Sequence, residues 1–193
     1  TTAYITEFTK TTNGGTTWTP GVPAGYTSGW GHAMIFGTSA TTAYMPVFNA
    51  SSGGGRILKT TDGGTTWTHQ TTATFAAPSG FPNVLHFFNE NEGFTMGDPN
   101  GGYFEIYTTA DGGTNWVRVP QANLPAPVAA DEYGVVGYYS AVGNNAWFTT
   151  NKGRIIKTTD KGMTWTASTT PVAVGNQFKI EMKDALNGII LDV

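Results

Sequence analysis

An eight-residue motif occurs four times in this chain at a constant interval, and no other feature limits the possible folds as strongly. Each copy has Asp or Asn at its third position, Gly at its fifth and Trp at its eighth. The copies begin at Thr11, Thr60, Thr109 and Thr158, so successive copies lie 49 residues apart. A whole motif that returns at equal spacing indicates one structural unit repeated along the chain.

Each copy of the motif has the sequence of a tight turn between two strands. The Asp or Asn side chain can accept backbone N–H groups within the turn, and Gly supplies the positive φ that the turn needs. The Trp begins the next strand, and we expect its ring to fold under the hairpin, so that Trp67 and Trp116 are buried. The residues to which we assign a structural role in the motif are Thr11, Asn13, Gly15, Trp18, Thr60, Asp62, Gly64, Trp67, Thr109, Asp111, Gly113, Trp116, Thr158, Asp160, Gly162 and Trp165.

The residues between two motifs leave room for two further strands. Each repeat then has four strands, which we name A to D in chain order, and the motif forms the turn between strands C and D. Apolar pairs such as Ile57 with Leu58 in strand C predict strands that are covered on both faces, as in stacked sheets. Four antiparallel strands in a repeat of about 40–50 residues are typical of a propeller blade. The sequence therefore predicts an all-β fold, a β-propeller of four-stranded antiparallel blades. Strand A is predicted at residues 31–36, 83–88 and 133–139, and strand B at residues 42–48, 93–97 and 145–149.

This repeat predicts one propeller domain, or part of one, over residues 1–193. The sequence aligns with strands C and D of a blade at its start and with strands A and B at its end, so two half-blades have unpaired edges. Unpaired edges attract other strands, and we expect another chain, or further blades of a longer chain, to pair with residues 189–193. The predicted units are a half-blade at 1–20, blades at about 28–70, 82–119 and 133–168, and a half-blade at 176–193.

Composition and charge exclude several functions. The net charge is −3 and the ten Lys and Arg residues are scattered singly, so no basic stripe is available for a nucleic acid. No apolar run approaches the roughly 20 residues of a membrane-spanning helix, and we predict no membrane insertion. A charged fraction of only 12 %, abundant Gly and the absence of Cys favour an exported bacterial protein, extracellular or at the cell surface.

The motif Ser/Thr-x-Asp-x-Gly-x-x-Trp, seen for example in residues 59–67 (KTTDGGTTW), resembles the Asp box or BNR repeat. This repeat is found in sialidases, sortilin-type receptors, xyloglucan-degrading hydrolases and photosystem II assembly propellers, and the spacing here looks most like that of bacterial exported proteins. The resemblance implies a structural turn at the motif and a ligand-binding face at the opposite end, formed by the D–A and B–C loops. It does not separate enzymes from binding proteins, because the same fold carries both.

The sequence does not clearly contain the residues of either glycosidase chemistry in this family. A sialidase needs clustered arginines for the substrate carboxylate, whereas this chain has three arginines in different repeats: Arg56, Arg118 and Arg154. A xyloglucanase needs two carboxylates about 5–10 Å apart in one cleft. Asp98 in a B–C loop, with Asp131 or Glu132 in the following D–A loop, is the weak catalytic alternative. We therefore expect no catalysis and keep a glycoside hydrolase, xyloglucanase-like or sialidase-like, as the alternative function.

The long D–A loops carry Pro and aromatic residues that suit the binding of a protein or a glycan. We expect Tyr26, Trp30 and Tyr103 to be exposed, and the alternative is that these rings fill gaps between blades. No cofactor or metal is predicted, because the histidines lack a second ligand at short spacing, and His32 and His86 are expected as hydrogen-bonded core residues. The expected function is a non-catalytic binding or scaffold module. Its candidate ligand-binding residues are Tyr26, Trp30, His32, Asp98, Tyr103 and Tyr133.

Overall fold

The structure is a computed structural model that describes residues 7–26 and 28–193. In these residues one short 3-10 helix, Gln121–Asn123, interrupts a succession of antiparallel strands. The prediction of an all-β propeller with four-stranded antiparallel blades is confirmed. Residues 1–6, where the predicted first half-blade begins, lie outside the described residues, as does residue 27.

Three sheets form consecutive blades between two hairpins. The strands follow chain order within each sheet, so the chain crosses every blade from strand A to strand D. The N-terminal hairpin contains β1 (Phe8–Lys10) and β2 (Thr19–Gly21). Blade 1 contains β3 (Trp30–His32) and β4 (Phe36–Gly37), which are two pieces of strand A, then β5 (Ala43–Asn49), β6 (Gly55–Thr60) and β7 (Thr68–Phe75).

The two remaining blades have the same order. Blade 2 contains β8 (Pro82–Phe87), β9 (Gly93–Pro99), β10 (Phe104–Thr109) and β11 (Val117–Arg118). Blade 3 contains β12 (Gly134–Val142), β13 (Asn145–Thr150), β14 (Arg154–Thr158) and β15 (Thr166–Thr169). The C-terminal hairpin contains β16 (Phe178–Met182) and β17 (Gly188–Asp192).

The hydrophobic core lies between the blades. One cluster joins blades 2 and 3 through Phe94, Phe148 and Trp165, and another joins blades 1 and 2. In the second cluster the rings of Tyr44 and Phe87 stack with their centroids 4.2 Å apart. Strands β6 and β10 have buried side chains on both faces, as predicted. Blades 1 and 3 cover the two faces of β10, whereas in β6 Ile57 packs with blade 2 and Leu58 packs in a cluster that includes Tyr26 and Phe8.

The turns of the last three copies of the motif pack on the preceding unit of the chain. A Cβ added to Gly113 would lie 3.1 Å from the Tyr44 ring of blade 1, and one added to Gly162 would lie 3.0 Å from Cβ of Phe94 in blade 2. Glycine at the fifth position of the motif therefore allows close approach between blades in addition to a positive φ.

The burial of the motif tryptophans depends on how the units stack. Trp116 is buried as predicted, with 4 % of its surface exposed. Trp67 is only half-buried, against the prediction, because the ring it meets, Phe8, belongs to a two-stranded hairpin instead of a full blade. Trp18 is 59 % exposed. Burial of the motif Trp thus depends on the blade in front of it as well as on its own hairpin.

Strand β12 departs from a regular A strand. Its pairing with β13 jumps from Gly134 to Tyr139, which leaves residues 135–138 opposite a single residue of β13. Gly137 has a φ of 69°, a conformation that glycine adopts without strain and that the bulge uses. Val136 is exposed on this bulge. The bulge therefore brings side chains of blade 3 to the loop face of the propeller.

Candidate functional site

The Asp or Asn side chain at the third position of the motif forms hydrogen bonds within its own turn. In every copy, Oδ1 of the third residue accepts the backbone N–H of the residue four positions later, at 2.8–2.9 Å. In the second copy, Thr60 donates its hydroxyl to Oδ1 of Asp62 and accepts the N–H of Gly64. Hydrogen bonds, first of all from Thr66, lower the pKa of Asp62 to about 2. The motif carboxylates therefore hold the turn.

The face opposite the motif turns contains a cavity of about 480 Å³ between blades 2 and 3 and the C-terminal hairpin. Strands β8 and β9 supply one wall, the bulge of β12 supplies the second, and Gln177 before β16 supplies the third. Asp98 and Tyr133, both candidates from the sequence, lie together at this cavity. The lining residues are Phe81, Asn83, Asp98, Tyr133, Gly134, Val135, Val136, Tyr138 and Gln177.

Asp98 connects two blades at this cavity. Its Oδ1 accepts a hydrogen bond from Nδ2 of Asn83 at 2.5 Å and another from the backbone N–H of Gly134 at 3.2 Å. Burial raises the pKa of Asp98 to about 6, although these two hydrogen bonds act in the opposite direction. A carboxyl group with a raised pKa at a cavity is typical of functional sites.

The two other carboxylates considered for catalysis are not at this cavity. Asp131 is exposed and pairs with Lys152, with 2.7 Å between Oδ2 and Nζ. Glu132 is buried, and its Oε2 lies 2.9 Å from Nη1 of Arg154. Neither side chain lines the cavity beside Asp98. The structure thus places the three carboxylates in separate surroundings.

Glu105 is a second carboxyl group of interest, and it was not among the residues predicted from the sequence. It lies in β10, is 1 % exposed, and its Oε1 is 3.9 Å from Nη1 of Arg118. Burial raises the pKa of Glu105 to about 7. The guanidinium of Arg118 also lies over the ring of Tyr103, 4.2 Å from its centroid, so Tyr103 belongs to this cluster. The backbone N–H of Ala76, beside blade 1, acts to lower the pKa of Glu105, whereas Asp98 accepts the backbone N–H of Gly134 in blade 3. The two carboxyl groups therefore face opposite sides of blade 2.

The aromatic candidates of the first D–A loop pack on the protein itself. Tyr26 is buried, contrary to expectation, and its hydroxyl accepts a hydrogen bond from Nη1 of Arg56 at 3.2 Å. The guanidinium of Arg56 lies over the ring of Trp30, 4.7 Å from its centroid, and Trp30 is half-buried. His32 is exposed, so it is not a core residue. Tyr26 therefore fits the alternative given above, in which these aromatic rings fill gaps in the protein instead of contacting a ligand.

His86 is half-buried among aromatic rings, so the expectation of a hydrogen-bonded core residue is wrong. Its ring contacts Phe36, Phe88 and Tyr139, and among the described residues its Nδ1 has no hydrogen-bond partner. Burial lowers the pKa of His86 to about 4, which keeps the ring neutral. Within residues 7–26 and 28–193, no three side chains of His, Cys, Asp or Glu are grouped to hold a metal ion.

The stacked four-stranded sheets and the motif turns define the class of this protein, a BNR-type β-propeller. A sequence model of the family described as photosynthesis system II assembly factor YCF48 matches residues 52–189. The chain therefore belongs to the YCF48 family. The narrower resemblance to sortilin or xyloglucanase propellers stays a prediction.

One solved structure supports the same fold, and a second is reported with it. A structure described as YCF48 bound to D1 peptide is 25 % identical to this chain, with a TM-score of 0.50, and the match covers 76 % of this chain and 46 % of that one. This chain thus spans less than half of that relative. A second structure, YCF48 from Cyanidioschyzon merolae, is 14 % identical, with a TM-score of 0.46 over 96 % of this chain and 73 % of that one.

Among curated proteins no match was found. In the part of the chain that the structure describes, no helix has the length and apolar character needed to cross a membrane.

Proposed function

We propose that this chain is a non-catalytic propeller that binds a segment of a partner protein at the cavity beside Asp98. The observation that carries this proposal is a relative of the same fold, 25 % identical over 76 % of this chain, that has been solved with a peptide bound. That relative binds a D1 peptide. For this chain we propose the same kind of ligand, an extended protein segment, and do not assign its sequence.

The shape and the walls of the cavity support this proposal. Its volume of about 480 Å³ lies within the usual range of ligand-binding pockets. Aromatic rings of Phe81, Tyr133 and Tyr138 form much of the lining, with Asp98 and Gln177 as polar groups. Apolar walls with a few polar groups suit the insertion of one or two side chains of a peptide.

The exposed ring of Tyr133 favours a glycan as a second class of ligand. This ring is 40 % exposed at the edge of the cavity, next to Tyr138 in the lining. Flat aromatic faces pack well against the apolar faces of sugars. Binding of a glycan without hydrolysis uses the same cavity, so a glycan belongs in the test described below.

The surroundings of the carboxylates support a binding function over glycoside hydrolysis. Hydrolysis needs a second carboxylate in the same cleft as Asp98. Asp131 pairs with Lys152 and Glu132 with Arg154, and Glu105 faces the other side of the blade. A sialidase or β-glucanase therefore lacks its catalytic pair at this cavity.

Composition is the support for our proposal that the protein is exported and acts at the cell surface or outside the cell. The charged fraction is 12 % and the chain has no Cys. Detection of the native protein in the medium or outer surface fraction of its cells tests this location, and recovery only from the cytoplasm contradicts it.

Selection of peptides on two matched variants tests the site. Val136→Trp fills the cavity from the bulge of β12, whereas Val117→Trp adds the same bulk to an exposed valine beside the motif turns. We expect a random displayed peptide library to enrich on the wild type and on Val117→Trp but not on Val136→Trp. Enrichment lost only on Val117→Trp would place binding at the opposite face, and binding of a glycan array without any peptide would favour the second class of ligand.

A further inference from the structure

Asp98 differs from the other carboxyl groups that the propeller withdraws from solvent. Glu132 is paired with Arg154, and Glu105 lies 3.9 Å from Arg118. Asp98 has no ion pair with any of the described residues, although it is half-buried between two blades. A carboxylate held partly away from water without a cation costs free energy of folding. Stability therefore does not explain why a carboxylate occupies this position.

The hydrogen bonds of Asp98 do not require its negative charge. Both bonds fall on Oδ1, from Asn83 and Gly134, and an Asn at this position would offer the same acceptor atom. Among the described residues, none donates a hydrogen bond to Oδ2. Since Asp98 lines the cavity, this second oxygen is the atom left for a ligand.

The walls of the cavity suit a positively charged side chain. The faces of aromatic rings attract cations, and Phe81, Tyr133 and Tyr138 all line this cavity. Lys179 of β16 already places its Nζ 5.4 Å from the centroid of the Tyr138 ring. This contact shows that the Tyr138 ring accommodates an ammonium group. Lys and Arg also bury their apolar stems along surfaces such as the one that Val136 supplies.

We propose that the cavity takes a Lys or Arg side chain of the partner segment, with the charged head on Oδ2 of Asp98. This inference rests on the proposed function and adds to it the type of residue that enters the cavity. The incoming cation supplies the positive partner that the carboxylate of Asp98 lacks, and the two groups form a charge-assisted hydrogen bond. An acidic residue at the same place is repelled by Asp98, so one contact both attracts the right segment and rejects the wrong one.

Peptide selection on charge variants tests this inference. Random displayed peptides are selected on the wild type, on Asp98→Asn and on the control Asp131→Asn, which removes an exposed carboxylate that does not line the cavity. We expect Lys or Arg at one fixed position among the peptides from the wild type and from the control. A selected peptide made synthetically should bind Asp98→Asn about tenfold more weakly or worse, and replacement of its basic residue by norleucine should weaken binding to the wild type similarly.

The possible outcomes separate this inference from the proposed function. Enriched peptides without a basic residue at a fixed position, or equal affinity for the wild type and Asp98→Asn, overturn the inference and leave the proposed function standing. Enrichment of no peptide at all overturns the proposed function, and the inference with it. If Asp98→Asn does not fold, the test uses the wild type alone and compares its affinity for the selected peptide with its affinity for the norleucine peptide. Equal affinities for the two peptides overturn the inference.

Discussion

The backbone N–H of Gly134 donates a hydrogen bond to Oδ1 of Asp98 over 3.2 Å, and this contact joins the A strand of blade 3 to the B strand of blade 2. Asn83 donates to the same oxygen from the A strand of blade 2. The cavity is therefore built on a contact between blades. Because this contact needs an acceptor atom but no charge, the part that Asp98 plays in stability can be separated from its part in binding.

The first prediction concerns the stability of Asp98→Asn. The pKa of Asp98 is about 6 in the folded protein, above the ordinary 3.8, so folding favours the protonated carboxyl group. The stability that this group contributes is complete below about pH 4 and is lost as the pH rises through 6. We expect Asp98→Asn and the wild type to be equally stable near pH 4, and the variant to be more stable near pH 8 by on the order of 1 kcal/mol after screening by solvent. Urea denaturation at the two pH values measures this difference, and a variant less stable at pH 8 would contradict it.

A second prediction uses Glu105, whose pKa of about 7 also lies above its ordinary 4.5. Stability from the protonated group is present below about pH 4.5 and is lost as the pH rises through 7. Glu105→Gln should therefore gain stability relative to the wild type as the pH rises from 5 to 8. Glu181→Gln, an exposed glutamate on β16, serves as the control and should show no such gain. Thermal unfolding of all three proteins across this pH range measures the gain. If the stability of Glu105→Gln and of the wild type changes with pH in the same way, Glu105 is not buried in its protonated form.

Two tryptophans at the same motif position are expected to differ in their effect on stability. Trp116 is 4 % exposed and packs between blades 1 and 2, whereas Trp18 is 59 % exposed. Trp116→Ala should lower the free energy of unfolding by about 3–5 kcal/mol. Trp18→Ala should lower it by less than about 1 kcal/mol. Equal losses in urea denaturation would show that the Trp is stabilised by its own hairpin and not by the preceding blade.

The edge of β17 leads to a prediction about association. Ile189 is 74 % exposed and Leu191 is 65 % exposed, and among residues 7–26 and 28–193 β17 pairs with β16 alone. Unpaired edges with apolar side chains promote strand pairing between chains. We expect the 193-residue chain on its own to associate in sedimentation velocity experiments, and Ile189→Lys to reduce this association. Val174→Lys, in an exposed loop, is the control. A compact wild-type monomer at all concentrations would refute the prediction.

The sequence was sufficient to predict the blades, because the motif and its interval are local features that repeat. The order of strands A to D and the double burial of strand C follow from that repeat and are found in the structure. The sequence did not reveal that the residue after the motif Asp also takes a positive φ. Lys161 does so at 60° in spite of its Cβ, and its Nζ pairs with Glu92 of the preceding blade at 2.5 Å.

The candidate site could be predicted only in part. Asp98 and Tyr133 were found because the sequence predicts them in or next to loops that the family resemblance places on the ligand face, although Asp98 lies near the end of β9 in the structure. Their contact with the bulge at residues 135–138 depends on how two blades stack, which a single repeat does not encode. Glu105 had a signal that could have been used, since a single acidic residue within an apolar strand covered on both faces is unusual.

Amide hydrogen exchange in the presence of a peptide selected on the wild type tests most directly the claim that the loop face binds a protein segment. We expect slower exchange around Asp98 and at residues 135–138, which form two walls of the cavity. Exchange at the motif turn around Asp111, at the opposite end of the strands, should not change. Protection of the motif turns with no change at the cavity would show that the segment binds elsewhere.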